Sequence, residues 1–172
     1  MLVARNADGG DVLQGHVARA NPLWRNLGAE ANVLAIFQDP GGYITPSWYA
    51  TKAETGKVVP TWNYVAVHAY GLARAVEDAA WLKEFLVRLT QANESGRTAP
   101  WQLADAPQDF IAMQLKAIVG IEIRIERLIG KWKASQNRLP KDVDGVVAGL
   151  RERGDADALR MANDIEARRR PR

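Results

Sequence analysis

The first stretch whose residues could do chemistry is GHVARANPLWR, residues 15–25. Its pattern predicts a strand that ends at Arg19, a turn at Asn21 and Pro22, and a short helix through Arg25. Backbone N–H groups at a helix start, with two arginines nearby, suit a phosphate group. The alternative interpretation is an ordinary strand-to-helix turn that carries two surface arginines.

A second stretch, residues 43–64, gathers five aromatic residues and two prolines in and around YITPSWY and VPTWNY. Near the entrance of a strand, such rings could form the wall of a site for a planar ligand. Aromatic residues also serve as ordinary core, so a tightly packed loop explains the same composition. Composition alone leaves both interpretations open.

A third stretch, GKWKASQNR at residues 130–138, follows the clearest strand pattern of the chain. Cationic and amide side chains surround one tryptophan in this stretch. They could hold a phosphate or the polar edge of a heterocycle. The alternative is a solvated strand end with alternating charge.

Several catalytic classes lack the residues that they need. The chain has no cysteine, only two histidines, and three serines that lie outside any G-x-S-x-G pattern. It also has no glycine-rich dinucleotide motif and no P-loop. A thiolate nucleophile is therefore excluded, a zinc site and a hydrolytic triad are disfavoured, and His68 is expected to be a core residue. Any chemistry would come from a bound cofactor.

Length and charge limit the remaining classes. With 172 residues, 47% of them apolar, the chain fits one globular domain. Its net charge of +3 comes from four arginines among the last five residues, and a nearly neutral body does not favour a nucleic-acid-binding face. The sequence has no apolar run long enough for a membrane span and no signal-peptide core. We therefore expect a cytoplasmic protein without membrane contact.

The strands that must position these stretches are recognised by their alternation. Residues 119–129 alternate apolar and charged side chains, which predicts one buried and one solvated face. Residues 61–77 are largely apolar on both faces, so both faces should be covered, and Gly71 indicates a bend or bulge. Shorter strands are predicted at residues 12–19, 33–38 and 43–45.

Helices are predicted between and after the strands. Asp78 can cap a helix with an apolar stripe on one side. A second helix is expected to start in the region of Asp105 and Pro107, with Phe110 and Met113 turned inward. Two terminal helices are predicted at residues 143–153 and 155–168.

Strands that cluster without strand–helix–strand alternation predict an α+β fold, mainly β, with an antiparallel barrel or sheet. We expect a single domain over residues 1–172, with the barrel at about 1–138 and C-terminal helices at about 140–168. Residues 38–60, rich in Gly, Pro, Thr and Lys, predict a long loop of the kind that often carries function.

Four segments, in order, give the chain a resemblance to a known family. They are GHVARANPLW, YITPSWY, GKVVPTWNYVAVHAYG and IEIRIERLIGKWKASQNR. They resemble the signature segments of the PaiB family, FMN-binding proteins described as negative transcriptional regulators, from about Leu13 to about Leu150. That family resembles the wider group of pyridoxamine-phosphate-oxidase-like split barrels. The resemblance implies a six-stranded FMN-binding split β-barrel with flanking helices, and a homodimer with FMN at the subunit interface.

The resemblance also implies which residues contact FMN. At the strand-to-turn segment that holds the FMN phosphate, it places Arg19, Ala20 and Asn21, and it places Arg25 near the basic position that follows that turn. At the strand start that approaches the flavin ring, it places Trp62 and Asn63. In the late segment that reaches the flavin from the partner subunit, it places Trp132, Lys133, Gln136, Asn137 and Arg138. Weaker candidates for the mouth of the site are Ser47, Trp48 and Lys52.

The chain departs from the family at its start. Family members begin with a helix and a first strand, whereas residues 1–5, MLVAR, already resemble the end of the second strand. We therefore expect the first barrel strand to be absent. Its absence would expose a sheet edge and weaken the hold on the flavin phosphate.

The resemblance favours an FMN-binding negative transcriptional regulator. Residues 155–167 argue against direct reading of DNA by the last helix, because four acidic residues accompany the single base Arg160. The alternative function is an FMN-dependent oxidase or reductase that acts on a small molecule, and a third is a flavin-free interaction module. The sequence names no substrate, DNA target or signal.

Overall fold

The computed structural model describes residues 1–6 and 8–168. Within this part of the chain, the strands are β1 (Leu2–Arg5), β2 (Asp11–Ala18), β3 (Ala31–Gln38), β4 (Gly42–Ile44), β5 (Thr61–Val76) and β6 (Ile118–Lys133). The α-helices are α1 (Thr51–Thr55), α2 (Ala79–Glu94), α3 (Gln108–Lys116), α4 (Pro140–Arg153) and α5 (Ala156–Ala167).

The strands form one sheet in the order β1-β2-β6-β5-β3, and β4 pairs with β5. The pairs β1–β2, β2–β6 and β4–β5 are antiparallel. Among the described strands this order has two ends, at β1 and β3, so the sheet is not closed. The antiparallel sheet with flanking and C-terminal helices confirms the predicted α+β, mainly β class, and each strand predicted by alternation is present.

The chain divides into two compact units. The first contains Met1–Ala35 and Ala69–Leu128, and the second contains Ile36–His68 and the chain from Ile129 onward. The strands β3, β5 and β6 each pass from one unit to the other. The expected single domain over residues 1–172 stays a prediction.

The core of the first unit is an apolar cluster carried mainly by β2, β5 and β6. Its buried members are Leu13, Leu27, Ala69, Ala73, Ile121 and Ile123. Gly71 of β5 lies so close to β6 that a Cβ at this position would clash with the Arg124 carbonyl oxygen. The structure therefore gives Gly71 a close-packing role between two backbones.

The helices of the first unit differ in how they are covered. The Asp78 carboxylate accepts a hydrogen bond of 2.7 Å from the Trp81 N–H and caps α2, whose Phe85 is fully buried. The inward placement of Phe110 and Met113 on α3 is wrong, because these side chains are 47% and 58% exposed. The helix forms as predicted, but these two residues lie on its exposed side.

The two long strands confirm their predictions to different extents. On β5, only Trp62 and Arg74 are exposed, so both of its faces are covered as expected. On β6, the buried face predicted by alternation extends from Val119 to Ile123. Every residue from Glu126 to Lys133 is exposed, although the alternation predicts a buried face at Ile129. Alternation thus identified the strand, whereas burial depends on what covers it.

The second unit is built around α4 and α5. Its buried cluster consists of Ile44, Tyr49, Ala134, Val143, Val146, Val147, Leu150, Ala158, Met161, Ala162 and Ile165. Trp48 lies along α4, where a Cβ at Gly145 would clash with the Trp48 carbonyl oxygen and one at Gly149 with its indole. The two glycines, one helical turn apart, form the groove that receives Trp48.

Residues 38–60 contain more structure than the predicted strand at residues 43–45 and the loop around it. They contain β4, a 3-10 turn at Pro46–Trp48, and α1. Each of these elements is only three to five residues long, so none is long enough to show a hydrophobic period. The Thr45 hydroxyl accepts a hydrogen bond of 3.2 Å from the Ser47 N–H and starts the 3-10 turn.

A buried carboxylate joins α4 to α1. Asp142 is 3% exposed and accepts hydrogen bonds from the Thr51 N–H, at 2.9 Å, and from the Thr51 hydroxyl, at 2.8 Å. Burial alone would raise the pKa of Asp142. The hydrogen bonds from Thr51 and the positive charges of Lys141 and Arg138 outweigh burial and lower this pKa from its ordinary 3.8.

The terminal helices are confirmed. Gly154 ends α4 in the left-handed conformation, with φ 71°, and Asp155 caps α5 by accepting a hydrogen bond from the Ala158 N–H. Of the basic end of the sequence, Arg168 is described, whereas Arg169, Arg170 and Arg172 lie outside the described residues. In the described ranges, no helix combines the length and the apolarity needed to cross a membrane.

Candidate functional site

Arg19 immediately follows β2, and both its backbone and its side chain form hydrogen bonds within the first unit. Its backbone N–H donates to the Ala117 carbonyl at 2.7 Å. In the guanidinium, Nε donates to the Lys116 carbonyl at 2.8 Å and Nη2 to the Ile118 carbonyl at 3.3 Å. Nη1 forms an ion pair with the Glu77 carboxylate at 2.5 Å. Three of the five N–H donors of an arginine are therefore already used.

We call residues 19–25 the Arg19 turn. Besides Arg19, this turn contains a second cation, Arg25, which has no carboxylate partner among the described residues. The Asn21 Oδ1 accepts a hydrogen bond of 2.9 Å from the Leu23 N–H, so this helix-start donor is already used. The Arg25 guanidinium lies 5.1 Å from the centre of the Trp24 ring. Among the described residues, Arg25 has no ion pair and the Ala20 N–H has no acceptor. These two groups are the open donors of the turn.

Trp62 and Asn63 lie at the start of β5, opposite Tyr43 and Gly42 of β4. The Trp62 side chain is 49% exposed, whereas Asn63 is 1% exposed. The Asn63 Nδ2 donates to the Ser135 hydroxyl at 2.9 Å, and its Oδ1 has no described partner. Its burial favours a supporting role for Asn63, and the indole of Trp62 is the group that remains open to a ligand.

Residues 132–138, which we call the Trp132 turn, are closed by their own side chains. The Gln136 Oε1 accepts a hydrogen bond of 2.8 Å from the Ala134 N–H, and its Nε2 donates to the Trp132 carbonyl at 2.9 Å. The Arg138 N–H donates to the Ser135 carbonyl at 3.0 Å. Gln136 was predicted as a cofactor contact, and the structure shows both ends of its amide in use within the turn.

The open groups of the Trp132 turn are an indole and cations. Trp132 is 41% exposed, and the Arg168 guanidinium lies 4.9 Å from its ring centre. Lys133 and Asn137 are exposed. The Arg138 guanidinium lies 4.6 Å from the centre of the buried Tyr49 ring. Within the described part of the chain, neither Lys133 nor Arg138 has a carboxylate within ion-pair distance.

The weaker candidates have local partners in the second unit. Trp48 packs on the glycine groove of α4, and the Lys52 Nζ donates to the Ser47 hydroxyl at 3.1 Å. These contacts give all three residues a structural explanation.

The structure brings some of the predicted site residues into contact and shows further residues that contact them. Within the second unit, the Asn63–Ser135 hydrogen bond joins two stretches 72 residues apart. Three residues outside the predicted set shape the candidate site: Glu77, Ser135 and Arg168. Ser135 stands within the KASQNR motif, which is the one signal for it. Glu77 and Arg168 carry no sequence signal, since their roles arise from tertiary contacts.

Comparison with protein families gives a match over residues 1–127. The matching family is described as "Putative FMN-binding domain". It covers well over half of the chain, and it confirms both the family and the cofactor, FMN, that the four sequence motifs predicted.

Two relatives match over nearly the whole chain. An uncharacterized protein from Emericella nidulans is 36% identical over 183 residues, which cover 91% of this chain and 73% of the relative. The Protease synthase and sporulation protein PAI 2 of Bacillus subtilis is 36% identical over 154 residues, which cover 90% of this chain and 72% of the relative.

Among solved structures, an FAD and heme binding protein from Mycobacterium smegmatis aligns with a TM-score of 0.49 and 17% identity. The alignment covers 76% of this chain and 63% of the other, so this chain spans less than two thirds of that protein's length. A likeness of this size carries no conclusion about the present chain.

Proposed function

Because the chain belongs to the PaiB-type family of FMN-binding proteins, we propose that its Arg19 turn binds the FMN phosphate and its two exposed indoles contact the flavin ring. FMN supplies reversible one- and two-electron redox chemistry when bound. The protein's own residues bind the ring, orient it and neutralise the phosphate.

The observation that carries this proposal is the set of open groups in the second unit. Two tryptophans of this unit, Trp62 and Trp132, are half exposed and offer indole surface that a ligand can cover. Lys133 and Arg138 have no carboxylate partner among the described residues. Exposed indoles beside cations without a direct ion pair suit a planar ligand that carries negative charge.

The phosphate contact is proposed for Arg25 and the Ala20 N–H. Arg19 has only two free N–H donors, and its charge is compensated by Glu77. Arg25 is free of such a partner in the described chain, and Ala20 supplies an open backbone donor. A charge-assisted hydrogen bond from Arg25 therefore costs no existing ion pair.

A homodimer is supported by the exposed second half of β6. The strand from Glu126 to Lys133 is exposed throughout, although Leu128, Ile129 and Trp132 are large apolar residues. A strand solvated on both faces is unusual, and a second copy of the chain would cover it. Ile129→Glu should convert a dimer to a monomer in light scattering, whereas Val59→Glu, at a position that is 64% exposed outside any strand, should not.

We propose a regulatory role, as the family resemblance favours, without direct DNA reading by α5. The acidic residues of this helix are paired with arginines: Asp157 with Arg160, Asp164 with Arg168 and Glu166 with Arg151. The pairing leaves α5 without an excess of positive charge for phosphates. A flavin enzyme is the second candidate, since a cofactor can supply chemistry where the chain offers no triad.

Titration of FMN against the purified protein tests the proposal. We expect quenching of flavin fluorescence that saturates at one FMN per chain. A protein that leaves the fluorescence unchanged at high micromolar concentration would contradict it. Addition of NADPH to the complex then separates the two roles: sustained turnover favours the enzyme, and its absence together with salt-dependent promoter binding favours the regulator.

A further inference from the structure

The backbone of Ser135 has an unusual conformation. Its φ is 60°, and it is the one residue other than glycine with positive φ in the described chain. A residue with a Cβ adopts this left-handed region at a cost, and glycine or asparagine usually occupies it. A serine here therefore needs a reason that lies in its hydroxyl.

The hydroxyl of Ser135 has a buried partner. Ser135 is 5% exposed, and its Oγ accepts a hydrogen bond of 2.9 Å from the Asn63 Nδ2. The Asn63 side chain is 1% exposed, and this is its one described hydrogen bond. Loss of the hydroxyl would leave a buried amide without any partner, which makes the contact costly to break.

Both ends of this hydrogen bond carry a candidate flavin contact close by. Asn63 directly follows Trp62, and the Trp62 position is crowded because a Cβ on Gly41 would clash with the Trp62 Nε1. Ser135 lies three residues after Trp132, in a turn closed by Gln136 and by the Arg138 N–H. The Asn63–Ser135 hydrogen bond thus ties the two indole-bearing segments of the second unit together.

We propose that Ser135 is a positioning residue for flavin binding: its left-handed backbone shapes the Trp132 turn, and its hydrogen bond from Asn63 fixes that turn to the start of β5. Ser135 acts through Trp132 and Arg138 and does not itself contact the ligand. This inference rests on the proposed FMN site. It deepens that proposal by naming the contact that preorganises the ring-binding side.

Ser135→Gly separates the two features of the residue, because glycine tolerates the left-handed backbone but lacks the side chain that carries the hydroxyl. We expect the dissociation constant for FMN to rise by about tenfold, and the visible circular dichroism of the bound flavin to change at saturation. Ser135→Ala removes the hydroxyl and keeps the Cβ in the left-handed backbone, and it should weaken binding at least as much. The matched control is Thr55→Ala, which removes a hydroxyl bonded to the backbone at Thr51 and Lys57, and it should bind FMN normally.

A double-mutant cycle identifies the contact. If one hydrogen bond is responsible, Asn63→Ala combined with Ser135→Gly should weaken FMN binding no more than the stronger of the single variants. Additive losses would overturn the pairing. An unchanged dissociation constant and unchanged dichroism in Ser135→Gly would overturn the inference, even if the melting temperature falls, because a merely structural role predicts that pattern.

A failure of the proposed function gives a different result. If the wild-type protein does not quench FMN, the FMN proposal fails, and the positioning contact is then judged by amide hydrogen exchange. The Ala134 and Arg138 N–H groups should exchange faster in Ser135→Gly than in the wild type. Equal exchange rates would overturn the contact independently of any flavin.

Discussion

The Arg19 turn and the Trp132 turn both contain residues expected to bind the same cofactor. The arginines of the two turns differ in the contacts that they make within their own units. Arg19 is bonded to two carbonyl oxygens and paired with Glu77. Arg138 packs on the Tyr49 ring and has no ion pair among the described residues. The first arginine is paired directly with a carboxylate, whereas the second has no direct ion pair and helps to lower the pKa of nearby Asp142.

The difference shows why a count of arginines does not locate a binding site. Recruiting Arg19 to a phosphate would divide its charge between the phosphate and Glu77. Recruiting Arg25 or Arg138 disrupts no described ion pair. Open donors and exposed indoles, more than residue types, therefore indicate the ligand-binding parts of both turns.

Trp132→Ala removes the indole that the Trp132 turn offers to the flavin ring. Of the substitutions considered, it should weaken FMN binding the most. Loss of an indole that contacts the flavin should lower FMN affinity by tenfold or more, because aromatic contacts contribute about 0.5–1.5 kcal/mol beyond the area they bury. Trp101→Ala is the matched control, since Trp101 is 44% exposed but lies outside both turns. Equal FMN dissociation constants for the two variants in fluorescence titrations would remove Trp132 from the site.

The sequence predicted the elements well because their signals are local. The alternation of residues 119–129 and the Asp78 cap depend on neighbours in the chain, and both are found in the structure. The family motifs also pointed to Trp62 and Trp132, which remain exposed.

The partners of the site residues could not be predicted in the same way. Glu77 lies 58 residues from Arg19, and Ser135 lies 72 from Asn63, so no periodicity relates them. Exposure also failed to follow the pattern at Phe110 and Ile129, because burial depends on which element covers a face. A motif thus identified the segments, and tertiary contacts decided which atoms stay free.

Acid should destabilise the second unit in particular, because the buried carboxylate of Asp142 belongs to it. Its lowered pKa means that the unfolded state binds a proton more readily, so the stabilising contribution is complete above about pH 4 and is lost as the pH falls through the lowered value. Asp142→Asn should reduce the free energy of unfolding by about 1–3 kcal/mol at neutral pH, because it disturbs buried hydrogen bonds from Thr51.

The measurement is chemical denaturation between pH 2.5 and 7, followed by hydrogen exchange in α4 as a reporter of the second unit. The wild type should lose stability in α4 below about pH 4, and Asp142→Asn should show a flatter profile. Parallel profiles for the two proteins would remove Asp142 as the source of acid sensitivity.

Within the Arg19 turn, Arg25→Ala should affect FMN binding, whereas Arg19→Ala should affect the stability of the fold. Arg25→Ala should weaken FMN binding by about fivefold and leave riboflavin, which lacks the phosphate, unaffected. Arg19→Ala should chiefly lower stability, by roughly 1 kcal/mol, since its ion pair with Glu77 is partly exposed. Paired titrations with FMN and riboflavin and a thermal melt would check both outcomes. A larger loss of phosphate discrimination in Arg19→Ala would reverse the assignment of the two arginines.

Whether this chain binds FMN is decided by the absorption spectrum of the purified protein, recorded after incubation with FMN and removal of free flavin by gel filtration. We expect a yellow protein fraction with flavin bands shifted from those of free FMN, at about one flavin per chain. A colourless protein fraction, with all flavin eluting in the small-molecule volume, would contradict it.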